Sequence, residues 1–264
     1  MLKISNISKT FERGTLNEKK ALNGVNLHMK EQDFITVIGG NGAGKSTLLN
    51  AIAGMFITDE GKIEIDGNDV TKLPEYKRAK YIGRVFQDTK MGTASDMTIE
   101  ENMAMAMRRG KSRTLRKGIT KSERDFFREH LKILDLGLED RLTTKTGLLS
   151  GGQRQALTLL MATMTKPKLL LLDEHTAALD PKTAKKVLEL TDKIITEDRL
   201  TAIMITHNMR DALKYGNRLI MLDSGKIIVD IPKEEKENLK VSDLLAMFEK
   251  ASGDSIDNDR MLLG

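Results

Sequence analysis

The run Gly39-Gly40-Asn41-Gly42-Ala43-Gly44-Lys45-Ser46 sets a glycine, four residues, and then Gly-Lys-Ser. That spacing suits phosphate. Glycines let the backbone wrap an anion and turn its N–H groups inward. A helix starting at such a loop adds positive potential from its amino end. From this position Lys45 reaches the β- and γ-phosphates of a nucleoside triphosphate, the Ser46 hydroxyl can bind Mg2+, and Thr47 offers a further donor toward the α-phosphate. Gly39, Asn41, Gly42, Ala43 and Gly44 supply the backbone cradle. The motif implies a nucleoside triphosphate and, by itself, no particular reaction.

Further reactive side chains stand at the ends of apolar runs. Leu169-Leu170-Leu171-Leu172-Asp173-Glu174 closes a buried strand with two carboxylates. Asp173 is placed to hold Mg2+ through its waters, opposite the phosphate loop. Glu174, one residue on and pointing otherwise, is placed to orient or deprotonate an attacking water. The apolar run 201–206 ends in His207, which can donate to a γ-phosphate and hold that water with Glu174. Taken singly, an acidic turn or a packed histidine is the ordinary reading of such residues; the phosphate loop upstream favours chemistry. Leu149-Ser150-Gly151-Gly152-Gln153 opens a helix, and a serine with two glycines there makes a second anion site. One chain needs one γ-phosphate site, so the second helix end points to another molecule's nucleotide.

These side chains need a scaffold. Residues 2–7 and 24–29 alternate as strands, whereas 33–38 is a continuous apolar run suited to a buried parallel strand. A helix is expected over 46–55, a short edge-type strand over 63–65, and a strand over 81–86 that ends at Gln87. The stretch 98–142 is charged and helical in period, an insertion. Then come a helix over 151–164, a strand over 168–172, a helix over 181–197 with Pro181 in its first turn, and a strand over 201–206. Residues 219–222 and 226–231 form a hairpin, 241–250 is an amphipathic helix, and 251–264 is a frayed tail. Strands alternating with helices imply an α/β fold with a mainly parallel sheet covered on both faces.

The composition narrows the classes. The chain has 264 residues, 31% of them charged, and no cysteine. Disulfides, cysteine–zinc sites and thiol catalysis are therefore excluded. The first residues lack the apolar core of a signal peptide. The strongest apolar run, 157–172, is cut by Lys166-Pro167-Lys168, short of the roughly 20 residues a span needs, so a membrane role must run through a partner. The net charge of +5 is dispersed among acids, apart from a cluster at Arg108, Arg109, Lys111, Arg113, Arg116, Lys117 and Lys121. Without interleaved aromatics that cluster reads as a solvated segment, or one facing anionic lipid or a membrane partner; no nucleic acid is expected.

The segment Leu149–Gln153, downstream of the phosphate loop, resembles the signature of ABC-type ATPases, and the resemblance runs from about residue 2 to residue 232. It implies the ABC ATPase fold: a P-loop NTPase core with a mainly parallel sheet, an N-terminal antiparallel β segment and a helical subdomain. Residues 1–250 would form one domain, with 1–89 and 156–235 as the ATP-binding core and 90–155 as the helical subdomain. Residues 236–264 would form a C-terminal helix and tail. It also implies ATP and Mg2+ as cofactors. Gln87 matches the glutamine that touches Mg2+ and the water beside the membrane-partner groove. Ala178-Leu179-Asp180 matches the D-loop, His207 the switch histidine, and Phe11 the ring that stacks on adenine. In that family two copies sandwich two ATP molecules, the phosphate loop of each facing Ser150–Gln153 of the other.

The separate-chain organisation is similar to ATPase subunits that power a permease from the cytoplasmic face of the membrane, often with an extracytoplasmic substrate-binding protein. Met97–Asn102 follows Gln87 where that family docks its permease. The run Asp-Glu-His-Thr-Ala-Ala-Leu-Asp is similar to an importer subgroup linked in part to amino-acid uptake. An exporter or mechanotransmission ATPase is the alternative, since the charged loop 12–20 has the length found in those enzymes. A soluble non-transport ABC ATPase usually carries a coiled coil or tandem cassettes, and neither is present. One departure stands out: His175 follows Glu174 where the family commonly has proline. It frees a backbone angle and either packs locally or tunes Glu174 with pH.

Overall fold

Apolar strands without alternation are buried on both faces only where helices flank a sheet. In a computed structural model, which describes residues 1–111 and 118–252, the chain puts them there. It opens with β1 (Leu2–Phe11), β2 (Lys19–Met29) and β3 (Phe34–Ile38), followed by α1 (Lys45–Ala53), β4 (Glu60–Ile65), β5 (Asn68–Asp69), α2 (Glu75–Arg78) and β6 (Ile82–Val85). Then come α3 (Ile99–Met107), α4 (Lys121–Lys132), a 3-10 turn at Thr146–Leu148 and α5 (Gly151–Thr163). The second half runs β7 (Leu169–Asp173), α6 (Pro181–Glu197), β8 (Ala202–Ile205), α7 (Met209–Lys214), β9 (Arg218–Asp223), β10 (Lys226–Ile231), α8 (Lys233–Lys236) and α9 (Val241–Ser252).

One sheet is antiparallel, in the order β2-β1-β4-β5; the other runs β10-β9-β3-β8-β7-β6, parallel except for β10. In the parallel sheet β3 lies between β8 and β9, and β7 between β6 and β8, so the phosphate loop and the Asp173-Glu174 pair leave the same carboxyl-terminal end of the sheet. α1 packs its buried Leu48, Leu49 and Ile52 into a core shared by β1, β2, β3, β4 and β7. A second core gathers α3, α4 and α5. α5 serves both regions, with Leu157 and Leu160 in the helical core and Leu159 and Ala162 against β7 and β8.

Some boundaries differ from the sequence expectations. The strand expected at an edge near 63–65 is interior, because β4 lies between β1 and the two-residue β5. β2 starts at Lys19, since shifts in the β1–β2 register break its alternation. α1 stops at Ala53, where Gly54 takes the left-handed conformation (φ 84°) that ends a helix. The insertion contains α3 and α4 among the described residues. Arg113, Arg116 and Lys117 of the basic cluster lie outside the described residues, as does the tail from 253; residues 251 and 252 complete α9 rather than fray.

Two buried cations brace the helices that carry the site. Arg78 donates to Ala51 and Ile52 carbonyls at the carboxyl end of α1, 2.8 Å each, and to Leu73 and Thr71 carbonyls. A cation there complements the helix dipole. Lys236 donates to the Tyr215 and Gly216 carbonyls just beyond α7, and stands 3.4 Å from Thr36 Oγ1 in β3. Thr36 in turn donates to the Ala212 carbonyl at 2.9 Å, which fixes α7 against the strand that feeds the phosphate loop.

Candidate active site

The phosphate loop bridges β3 and α1. Gly44 precedes α1 at φ 102°, and a Cβ there would stand 2.5 Å from the Ala21 carbonyl oxygen, so glycine is required by conformation and by space. Asn41 and Gly42 are exposed; Ala43 and Lys45 are buried. Gly39 leaves β3 at φ 153°. Lys45 is folded back onto its own loop, with Nζ donating to the Gly39 carbonyl at 2.8 Å and the Gly40 carbonyl at 3.0 Å. Burial pushes its pKa below the usual lysine range, while Glu174 and Asp173 pull it back up. The ammonium therefore sits among neutral acceptors where an anion would be welcome. The amides of the first turn, Lys45 to Thr47, have no helical partner and face the loop.

Opposite the loop, Ser46 Oγ donates to Asp173 Oδ1 at 3.3 Å. Burial raises the Asp173 pKa, opposed by Arg84, Ser46 and Lys45. Two hard oxygens facing each other fit Mg2+, which takes one or two protein ligands and completes its octahedron with phosphate and water. Among the described residues no cluster of three or more His, Asp or Glu side chains offers a site to a metal that demands an all-protein cage.

Glu174 follows Asp173 with its N–H bonded to the Ile205 carbonyl at 3.2 Å and its backbone at φ 44°. Its side chain meets the next strand's end instead, with His207 Nε2 2.6 Å from Glu174 Oε1. Burial opposes ionisation of Glu174, but the His207 hydrogen bond and the charges of His207 and Lys45 outweigh it and hold its pKa below the usual carboxylate range. Lys45, Ser46, Asp173, Glu174 and His207 thus form one connected group.

The other residues singled out from the sequence stand at its margins. Gln87 is exposed beyond β6, beside a 480 Å3 groove lined by Arg84, Phe86, Met91 and Arg109. Phe11 ends β1, 38% exposed, edge-on to Phe56 at 5.3 Å. It pairs in register with Lys19, whose Nζ would stand 3.2 Å from a Cβ on Gly42 in the loop. Ser150 caps α5: its Oγ accepts from Gln153 N–H at 3.3 Å, and Gln153 Oε1 accepts from Ser150 N–H at 3.2 Å. That box leaves the Gly151 and Gly152 amides facing outward. Leu179 packs beside Gly151, and Asp180 caps α6 by accepting from Thr183 N–H at 3.1 Å. No hydrogen bond or ion pair joins Ser150–Gln153 to the phosphate loop among the described residues.

The sequence reading missed Arg84, which reaches both Asp173 and the groove. Its signal was present: a cation inside the apolar strand Ile82–Val85 needs a buried partner.

Comparison with known proteins bears on the fold and the family. The family described as ABC transporter matches residues 22–177. The chain is 45% identical over 252 residues to a tyrosine transport ATP-binding protein of Clostridioides difficile (strain R20291), covering 95% of this chain and 100% of that one. It is 36% identical over 211 residues to the methionine import ATP-binding protein MetN of Rhizobium johnstonii, covering 79% of this chain and 56% of that protein. Its structure resembles a dimeric post-hydrolysis state of the ATP-binding cassette MJ0796 bound to ADP and Pi. The TM-score is 0.75 at 32% identity, over 88% of this chain and 99% of that one.

Proposed function

The chain belongs to the ABC transporter family and is an ATPase, and we propose that it powers a membrane importer by closing and opening as a pair around ATP. The 2.6 Å contact between Glu174 and His207, at the edge of the Lys45–Ser46–Asp173 group, carries the hydrolytic part of this reading.

The triphosphate settles on the amides from Gly42 to Thr47. Lys45 leaves the Gly39 and Gly40 carbonyls to meet the β- and γ-phosphates, exchanging neutral partners for anionic ones. Mg2+, held by Ser46 and Asp173 with Gln87, would supply charge neutralisation of the phosphate oxygens. An attacking water approaches beside the Glu174–His207 pair, within reach of the Glu174 carboxylate. Glu174, ionised at neutral pH, takes its proton, while the His207 N–H turns to the γ-phosphate. Phe11 offers its exposed face to adenine. ATP keeps its charge uncompensated on the outer side until Ser150, Gly151 and Gly152 of a second copy close over it, with Asp180 beside that seam. The absence of any bond between these two segments within one chain, among the described residues, supports a site shared between copies.

The groove beside Gln87 receives a permease segment, and the part of the chain over 90–155 moves with it, so ATP closure is transmitted to the membrane. No helix of the described residues is long and apolar enough to cross a membrane, and the chain acts from the cytoplasmic face through that permease. The 45% identity to a tyrosine transport ATP-binding protein, over nearly the whole of both chains, supports an amino-acid cargo; in this reading a separate substrate-binding protein delivers it.

Glu174→Gln is expected to retain ATP binding while its turnover falls by about a hundredfold or more, the usual scale for losing a general base. Near-normal turnover would remove Glu174 from that role. Lys45→Ala is expected to lose ATP binding, followed by the fluorescence of trinitrophenyl-ATP.

A further inference from the structure

Arg84 belongs to neither the phosphate loop nor the catalytic pair, yet its guanidinium touches the magnesium half of the site. Its side chain is 10% exposed. Nη2 donates to Asn50 Oδ1 in α1 at 2.5 Å and lies 3.7 Å from Asp173 Oδ2. Nη1 lies 3.0 Å from Met55 Sδ and 4.0 Å from Glu75 Oε1, and the guanidinium carbon stands 4.5 Å from the Phe86 ring centroid. Asp173 is therefore held at both oxygens, by the Ser46 hydroxyl on Oδ1 and by Arg84 on Oδ2. Turning that carboxylate about its bond would break one contact or the other. The anion stands between the guanidinium and Ser46, so the cation steadies it from behind.

The anchoring is also mechanical. Asn50 lies on the same helix as Lys45 and Ser46, and Arg84 lies on the strand paired with β7. One guanidinium thus ties the helix that grips phosphate to the strand end that carries Asp173. The Phe86 ring and the walls of the 480 Å3 groove keep it in place, and its buried Nε has no partner among the described residues. A merely structural arginine would be expected to satisfy that donor first. Here the planar fork is oriented by Asn50 and Asp173 instead.

We propose that Arg84 is a positioning residue for magnesium binding, fixing the Asp173 carboxylate relative to Ser46 from the wall of the groove. The proposal rests on the assignment of Ser46 and Asp173 to Mg2+ made above. Partners that orient a ligating carboxylate commonly alter metal affinity far more than they alter the fold.

The test uses the full chain carrying Glu174→Gln, with trinitrophenyl-ATP binding followed by fluorescence, first in EDTA and then across a Mg2+ titration. Arg84→Met is expected to change binding in EDTA by no more than about twofold, and to raise the Mg2+ concentration for half the metal effect about tenfold. Arg84→Lys keeps the charge without the fork and should fall between. Asn50→Ala unties the other end of the guanidinium and should shift the Mg2+ requirement in the same direction by less. If Arg84→Met loses its cooperative melt, Arg84→Lys and Asn50→Ala carry the test. An unchanged Mg2+ requirement in the folded variants overturns the proposal, as does an equal loss of binding in EDTA. A parent protein indifferent to Mg2+ would instead remove the Ser46–Asp173 assignment, and the proposal with it.

Discussion

His175 is 2% exposed, and its Nε2 lies 3.0 Å from Thr191 Oγ1. Thr191 donates its own proton to the Val187 carbonyl at 2.7 Å, so it accepts from a neutral imidazole N–H. Burial drives the His175 pKa down to about 4. The side chain is turned into α6, which favours local packing over a pH-dependent influence on Glu174. A histidine whose folded pKa lies below its unfolded value stabilises the fold above about pH 6.5 and loses that contribution as pH falls toward 4. From pH 7 to pH 5 the protein should lose about 2 kcal/mol more stability than His175→Gln does, measured by urea unfolding. Equal losses would show that His175 titrates normally in the fold. At this scale the sequence was most legible where chemistry depends on adjacent residues. The phosphate loop and the Asp173-Glu174 pair are local patterns, so their side chains could be named before any fold was known. Arg84 depends on Asn50 and Asp173, which lie far from it in sequence and come together only through sheet order.

The elements repeat that division. β3, β7, α5 and α6 follow from apolar runs and capping residues within their own spans. The interior position of β4 depends on pairing with β1 and β5, which no pattern within residues 60–65 specifies. The early start of β2 depends on register shifts against β1. The approach of α5 to α6 also lay beyond the sequence. A Cβ on Gly152 would stand 2.2 Å from Thr183 Cγ2 in the first turn of α6. Gly152 therefore serves the packing of two helix ends as well as the exposure of its amide. Gly152→Ala should lower stability by about 1–3 kcal/mol through overpacking. Thr183→Ser, which removes the offending methyl, should restore most of the loss in the double variant, as read by thermal melting. Additive losses would place the strain elsewhere.

At the scale of the molecule, the carboxyl ends of β3, β7 and β8 collect Lys45, Ser46, Asp173, Glu174 and His207, while the amino end of α5 carries the segment proposed as a second anion site. Under the proposed pairing, charge brings the two together across copies: a nucleotide resting on one loop would leave its outer oxygens facing solvent, and a second helix end would neutralise them. The same closure would draw the groove beside Gln87 toward its counterpart and so reach a membrane partner. The chain contains no cysteine, which makes an engineered pair unambiguous. Asn41 in the phosphate loop and Leu148 just before Ser150 are both exposed. The most direct measurement mixes Asn41→Cys and Leu148→Cys versions, each also carrying Glu174→Gln, and treats them with a short bis-maleimide. ATP-bridged pairing predicts a cross-linked species of two chains that forms with ATP and Mg2+ and not without them. A mixture that binds ATP yet gives no such species, or gives the same amount when ATP is withheld, would contradict it.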